Sequence, residues 1–507
     1  MTDSMTTTSL AENAAVLSTG IAGLDDILHG GLTTGLYGIE GDTGAGKTTL
    51  CLQFLLAGAS RGERCLFVTL SESVHELRIM ARSHGWELDS IELLELIGPE
   101  KSLERDRHYT MFHPAEVELT ETTRAILEAV ERIKPTRIVL DSVGELRMLA
   151  QSSLRYRREI IALKQNFTAK GITVLMVDDP RADIADLAIA SIATGIITLD
   201  REATEYGAFR RRLQVLKMRG RNVREGYHDF RIRRGGLEVY PRLVAAEHKS
   251  SYARESIKSG VTALDALLGG GLARGTSSLF LGPAGTGKSS LAAQYACAAA
   301  ARGEHAAIFL FDEAIATFVE RSRGLGFDVM PLVESGKLVL RQIDPAELSP
   351  GEFVYYVRAM VEEFDSRVIV IDSLTGFLNA MPSERMLVLH LHELLTYLGA
   401  KGVTTIMLMA QHGLIGATGG SPIDASYLAD TVLLLRFFEA RGEVSIAVSV
   451  IKKRTGKHER AIRELRFEQG GITIGEPIKD FVGVLSGTPQ IASAAWGRRS
   501  QPREEGK

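Results

Sequence analysis

The sequence predicts an α/β protein built from two tandem copies of one domain, each a mostly parallel sheet with helices on both faces and hairpins at its edge. Three observations carry this expectation. The segment Thr19-Gly-Ile-Ala-Gly-Leu-Asp25 returns as Ser259-Gly-Val-Thr-Ala-Leu-Asp265, 240 residues later, and Gly41-Asp-Thr-Gly-Ala-Gly-Lys-Thr-Thr49 returns as Gly282-Pro-Ala-Gly-Thr-Gly-Lys-Ser-Ser290, 241 residues later. A period that long is a duplicated domain, not a solenoid repeat. Short strand-like runs are apolar throughout instead of alternating, which marks strands covered on both faces. Each copy then closes with a charged, alternating segment, Arg211 to Arg233 and Ser445 to Glu468, in the manner of antiparallel edge hairpins.

Taken in order, residues 1–13 read as a flexible N-terminus, 14–246 as the first domain, and 247–253 as a polar linker. Residues 254–485 read as the second domain and 486–507 as a flexible tail. Strands are expected in the first domain at Leu66–Thr69, Arg137–Leu140, Ile172–Val177 and Gly195–Leu199. In the second they are expected at Ala307–Leu310, Arg367–Ile371, Val403–Leu408 and Thr431–Leu435.

Composition narrows the function classes. Of 507 residues 45% are hydrophobic and 24% charged, a globular balance that excludes a disordered or collagen-like chain. No apolar run reaches membrane-spanning length, and the Thr- and Ser-rich start lacks the basic and apolar parts of a secretory signal, so a cytoplasmic location is expected. Three cysteines at no metal-ligand spacing suit a reducing compartment and exclude a zinc module. A net charge of −4 gives no global field for a nucleic-acid backbone, so nucleic acid is not an expected partner. The one local exception is a basic patch at Arg210-Arg-Arg212, Arg221, Arg224, Arg231 and Arg233-Arg234, which keeps a DNA-dependent ATPase as an alternative.

Chemistry concentrates on two phosphate loops of the form G-x-x-x-x-G-K-[ST]. The first offers Gly41, Thr43, Gly44, Ala45, Gly46, Lys47, Thr48 and Thr49; the second offers Gly282, Ala284, Gly285, Thr286, Gly287, Lys288, Ser289 and Ser290. Glycines let backbone N–H groups wrap phosphate oxygens at a helix start, Lys47 and Lys288 reach the terminal phosphates, and the Thr48 and Ser289 hydroxyls ligate magnesium. ATP and Mg2+ are the expected cofactors. Asp141 and Asp372, each ending an apolar run and each followed by Ser, supply the carboxylate that holds the metal's water shell. Hydrolysis also needs a carboxylate near the γ-phosphate; Ser71-Glu72 and Asp312-Glu313 follow the second strand of each domain, giving Glu72, Asp312 and Glu313 as catalytic candidates.

Near the end of each domain stand Lys217-x-Arg219 and Lys452-x-Arg454. Side chains two apart on a strand share a face, so each pair is either a fork that reaches a neighbouring subunit's nucleotide or a charged edge that discourages aggregation.

Two phosphate loops, the Thr-Gly-x-x-x-Leu-Asp lead-in, the Asp-Ser pairs and the terminal Lys-x-Arg resemble the KaiC family of double-domain, RecA-superfamily ATPases of the bacterial circadian clock. The resemblance spans nearly all of residues 14 to 488 and is most specific from Thr431 to Glu443, at Lys452-x-Arg454-x-x-x-His458 and at Ala461-Ile-Arg-Glu464. It implies two RecA-like P-loop domains in a hexameric double ring with ATP at subunit interfaces, to which Lys217, Arg219, Lys452, Arg454 and His458 contribute. It also implies a second domain that is a serine/threonine autokinase, and a KaiB-like protein or a signalling kinase as partner. The family's paired glutamates fall on Ser71-Glu72 and Asp312-Glu313, so first-domain hydrolysis rests on Glu72. The family's Ser-Thr phosphoacceptors fall on Ser426-Tyr427, with Ser421 a further hydroxyl nearby. Ser426 and Tyr427 are then either phosphoacceptors or part of a subunit interface. The tail shows no match to a KaiA-binding segment, and KaiA is not an expected partner. A catalytically weak, ATP-gated scaffold is the other alternative.

Overall fold

Buried, largely apolar runs settle the two central sheets. A computed structural model describes residues 16–96, 114–179, 188–204, 207–379, 384–411, 425–440, 442–485 and 490–491. The chain divides into two compact units, Met1–Glu205 with Phe209–Arg242, and Tyr206–Ala208 with Leu243–Lys507. Apart from Tyr206–Ala208, the second unit takes in the chain from Leu243 onward, and with it the segment 247–253 expected as a linker. Ser250 of that linker donates to the Ala400 carbonyl, and the Tyr252 ring lies against Gly275 and Gly402, so part of it is docked on the second unit.

The first sheet has nine strands: β1 (Gly35–Gly41), β2 (Cys65–Thr69), β3 (Glu92–Glu95), β4 (Arg137–Asp141), β5 (Thr173–Asp178), β6 (Gly195–Glu202), β7 (Arg210–Met218), β8 (His228–Arg233) and β9 (Gly236–Tyr240). Their order is β3-β2-β4-β5-β1-β6-β7-β8-β9. Strands β3 through β6 pair in parallel, and β7 to β9 continue as antiparallel hairpins.

A short pair, β10 (Ser256–Ile257) and β11 (Leu272–Ala273), precedes the second sheet. That sheet is built from β12 (Ser277–Gly282), β13 (His305–Leu310), β14 (Leu338–Gln342), β15 (Ser366–Asp372), β16 (Thr404–Ala410), β17 (Thr431–Ala440), β18 (Glu443–Lys453), β19 (Arg463–Glu468) and β20 (Gly471–Pro477). Its order, β14-β13-β15-β16-β12-β17-β18-β19-β20, repeats the first. The expected strands and edge hairpins are all present. Not anticipated were the strands that carry the phosphate loops, β1 and β12, and the outermost parallel strands β3 and β14. A last pair joins β21 (Phe481–Val482) to β22 (Gln490–Ile491), so the expected tail contributes two residues to a ladder; the rest of it and residues 1–13 lie outside the described residues.

Each sheet has a core on both faces, as the absence of alternation requires. In the first unit, Leu50, Leu52, Phe54 and Leu55 of the helix Lys47–Ala59 pack on one face, and Tyr156, Ile160 and Leu163 of the helix Ser153–Ala169 on the other.

The repeated lead-in motif is a structural tie. Asp25 accepts from the Thr19 amide and hydroxyl at 2.7 and 2.8 Å and from Ser18 at 2.6 Å. Asp265 accepts from the Ser259 amide and hydroxyl at 2.8 and 2.9 Å. The intervening Gly20 and Gly260 have φ of 80° and 82°, a conformation open to glycine.

The units differ at one buried contact. Arg137, fully buried, grips Glu63 through Nε and Nη2 at 2.7 and 2.8 Å and donates from Nη1 to the Ser18 and Phe54 carbonyls, both at 2.8 Å. A Cβ on Gly58 would lie 2.5 Å from Arg137 Nε, so only glycine fits there. At the matching positions the second unit has Val368 and Ala299, and its Glu304 pairs with Arg274 instead.

His228 makes the first unit acid-sensitive. The ring is fully buried; Nδ1 accepts from the Arg242 amide and Nε2–H donates to the Arg224 carbonyl, both at 2.9 Å, which fixes the neutral tautomer. Burial pushes its pKa from 6.5 down to about 4. Between those values the unfolded chain binds more protons, so this contribution to stability is complete above about pH 6.5 and is lost as pH falls toward 4. It amounts to about 3 kcal/mol. Denaturant titrations between pH 7.5 and 4.5 are expected to show that loss, with a flatter acid limb in His228→Gln.

Candidate functional site

Both phosphate loops leave the C-terminal edge of the sheet at its central strand. In the first unit Gly41 ends β1, Gly44 and Gly46 have φ of 76° and 111°, and the helix begins at Lys47. Thr43, Ala45 and Thr49 complete the turn, Ala45 and Thr49 buried. Lys47 Nζ donates to the Gly41 and Asp42 carbonyls.

In the second unit Gly282 ends β12, Gly285 and Gly287 have φ of 83° and 81°, and the helix begins at Lys288. Lys288 Nζ donates to the carbonyls of Gly282 and Pro283 at 2.9 and 2.8 Å, and Thr286 Oγ1 to Pro283 at 2.9 Å. Burial pushes the Lys288 ammonium down to about 8, while Asp372 opposes the shift.

The strand-end aspartates meet the loops. Thr48 Oγ1 donates to Asp141 Oδ2 at 2.7 Å, across 93 residues of sequence. Asp372 likewise accepts from the Ser289 hydroxyl. Burial raises both carboxyls to about 6 against these hydroxyl bonds. In each unit the peptide after the aspartate, to Ser142 or Ser373, is cis. Among the described residues no group of three or more His, Cys, Asp or Glu could hold a metal, so an ion here needs the loop hydroxyl and phosphate oxygens as further ligands.

The two sites diverge at their acids. Glu72 follows β2; its carboxyl is raised by burial and secondarily by Glu76, and among the described residues no side chain pairs with it. Ser71 beside it is exposed. In the second unit Asp312 accepts from Ser373 Oγ at 2.5 Å, and Glu313 is held by Arg321 at 3.2 and 2.8 Å. A cleft of about 690 Å³ collects Gly285, Gly287, Lys288, Ser289, Asp312 and Glu313 with Asp372, Arg321 and Phe467.

Sequence reasoning missed Arg321, Phe467 and Ser373 as neighbours of this cleft. A Cβ on Gly287 would strike the Phe467 ring at 2.0 Å, so the ring walls the loop. It also missed an acidic corner of the first unit, where Glu40 on β1 stands in register with Asp178 on β5, which is ion-paired to Arg147. Burial raises both carboxyls. A long-range register, invisible in any local motif, creates this corner.

The Lys-x-Arg forks do something specific within the chain. Lys217 Nζ donates to the Ala190 carbonyl at 2.5 Å and Arg219 to Ser191 at 2.8 Å. Lys452 donates to the Ser426 carbonyl at 2.9 Å, and Arg454 to the Tyr427 carbonyl at 3.2 Å and Asp430 at 3.3 Å. Each fork thus ties the short helical segment preceding β6 or β17, Ala188–Ile192 or the single turn Ala425–Tyr427. Ser426 and Tyr427 lie on that turn, Tyr427 exposed, and neither they nor Lys452, Arg454 and His458 line the cleft of their own domain. Ser421 lies outside the described residues.

Two RecA-like α/β domains, each with a phosphate loop at the central strand and an aspartate ending the next strand but one, define a tandem P-loop ATPase. The model of the KaiC ATPase family matches residues 17–244 and again 257–479, and the chain belongs to that family. Similar proteins include the circadian clock protein KaiC3 of a Synechocystis species, 28% identical over 490 residues covering 94% of this chain and 95% of that protein. The circadian clock oscillator protein KaiC of Synechococcus elongatus is 27% identical over 94% of this chain and 92% of its own length. No helix among the described residues is long and apolar enough to cross a membrane.

Proposed function

We propose that this chain is an ATP-driven switch: both domains bind and hydrolyse Mg·ATP, and the second transfers phosphate to Ser426 or Tyr427 of an adjacent copy. The observation that carries the reading is the cleft that gathers Lys288, Ser289, Asp312 and Asp372, with the hydroxyl-bearing turn outside it in the same chain. The acceptor must then come from a second copy, which makes the working unit an oligomer, hexameric by the resemblance to its family. The forks Lys217/Arg219 and Lys452/Arg454, with His458, are assigned to the same interface. A KaiB-like protein or a signalling kinase reads the phosphorylation state.

Loop amides and Lys288 hold the phosphates at the helix start. Ser289 and Asp372 present a hydroxyl and a carboxylate suited to a hydrated magnesium ion, and Thr48 and Asp141 do so in the first domain. A magnesium ion held there would supply charge neutralisation to the phosphates. The attacking oxygen bonds to γ-phosphorus as the bond to the bridging oxygen breaks; ADP departs with that electron pair, and the hydroxyl proton passes to the Asp312 carboxylate. In the first domain the residue assigned to orient water is Glu72.

Phosphopeptide mapping of the full chain incubated with Mg·ATP tests the reading. Phosphate is expected on Ser426 or Tyr427 and is expected to vanish in Ser426→Ala/Tyr427→Phe. Turnover of ATP with no phosphopeptide would leave an ATP-gated assembly and remove the kinase.

A further inference from the structure

The second-domain cleft holds two adjacent carboxylates in unlike settings. Asp312 is capped on one oxygen by the Ser373 hydroxyl at 2.5 Å, with Ser373 itself accepting from the Gly376 amide at 3.2 Å. One hydroxyl donor leaves that carboxylate a free acceptor oxygen. Glu313 is gripped on both oxygens by one guanidinium, Nε to Oε1 at 3.2 Å and Nη2 to Oε2 at 2.8 Å. The same Arg321 anchors its third nitrogen on Ser290 Oγ at 2.7 Å, beside the loop serine. A bidentate arginine engages lone pairs on both carboxylate oxygens, so Glu313 is already occupied where a proton donor would have to approach. Glu72 and Glu313 are 241 residues apart, like the two loops, and on that spacing the first domain has Met80 where the second has Arg321. Met80 packs against the core, and among the described residues no side chain clamps the Glu72 carboxylate.

We propose that Arg321 is a positioning residue that withholds Glu313 from proton transfer and leaves Asp312 as the base of the second domain. This rests on the reading of that cleft as a phosphoryl-transfer site. The proton leaving the attacking water or hydroxyl goes to Asp312, while γ-phosphorus gains the new oxygen and ADP leaves with the electrons of the broken bond. Without Arg321, Glu313 becomes a second acceptor in the same cleft.

The test uses the full chain carrying Lys47→Ala, so that single-turnover hydrolysis of Mg·ATP reports the second domain. Asp312→Asn is expected to slow the step by about 100-fold or more. Adding Arg321→Met to that variant is expected to recover about tenfold through the released Glu313, and adding Glu313→Gln as well removes the gain. Arg321→Lys, which retains a cation for Glu313, gives no recovery. Arg321→Gln keeps a donor for Ser290 and provides the same readout if the Met variant fails to fold. An unchanged Asp312→Asn deficit after loss of Arg321, with affinity for a fluorescent ATP analogue intact, overturns the role of Arg321 alone. Absence of turnover in the Lys47→Ala parent overturns the cleft's assignment and the proposal with it.

Discussion

Lys288→Ala is expected to remove second-domain turnover while the first domain continues. Lys288 is 9% exposed, and its ammonium bridges the Gly282 and Pro283 carbonyls at the mouth of the loop. Burial lowers its pKa only to about 8, so the group is cationic at neutral pH and available to the terminal phosphates. Removing a preorganised cation from such a cleft costs about 10²- to 10³-fold in rate, or roughly 3–4 kcal/mol of transition-state stabilisation. Alanine is a good first helical residue, so the helix Lys288–Ala301 persists and the loss is chemical. The converse variant, Lys47→Ala, is expected to remove the other component. Phosphate-release assays on the two single variants and the double should therefore give two partial rates that sum to the parent's, and none in the double. A Lys288→Ala protein that releases phosphate at the parental rate would mean that the second cleft does not hydrolyse ATP.

The largest effect on stability is expected at Arg137. Replacing it with Val leaves the partly exposed Glu63 carboxylate and the carbonyls of Ser18 and Phe54 without their fully buried donor. Loss of one partner from such a network, part of which water can reach, costs about 2–4 kcal/mol. The first unit should unfold at markedly lower denaturant, and the second should be unaffected. Adding Gly58→Ala imports the second unit's solution, Ala299 against Val368, by filling space vacated by the guanidinium and replacing a mid-helix glycine. About 1 kcal/mol should return. In the parent background the same Gly58→Ala places a Cβ 2.5 Å from Arg137 Nε and should destabilise. Opposite signs for one substitution in two backgrounds, read from first-unit melting, would establish the coupling.

The parts of this molecule legible in its sequence are those written in short, contiguous patterns. Both loops, the strand-end aspartates Asp141 and Asp372, and the antiparallel edge segments each depend on neighbours within ten residues or so. Tertiary pairing wrote the rest. Arg321 sits on a helix eight residues beyond Glu313 and resembles any surface arginine until that helix is laid along the cleft. Phe467 reaches Gly287 only because β19 folds back over the loop. Glu40 and Asp178 become neighbours through the register of β1 on β5. The forks at Lys217 and Lys452 were visible as a pattern, but their carbonyl partners on the turns at Ala190 and Ser426 belong to the tertiary structure.

Gly58 with Arg137, and Ala299 with Val368, also bear on how a duplicated gene ages. Within each copy the helix after the loop and the strand bearing the aspartate have become matched halves. A genetic exchange between the copies that carried the helix without its strand would drive a methyl into a guanidinium in one product and open a void in the other. The two halves of the gene can drift apart, but piecemeal blending carries a stability penalty; only a crossover that moves helix and strand together keeps this contact matched in both domains.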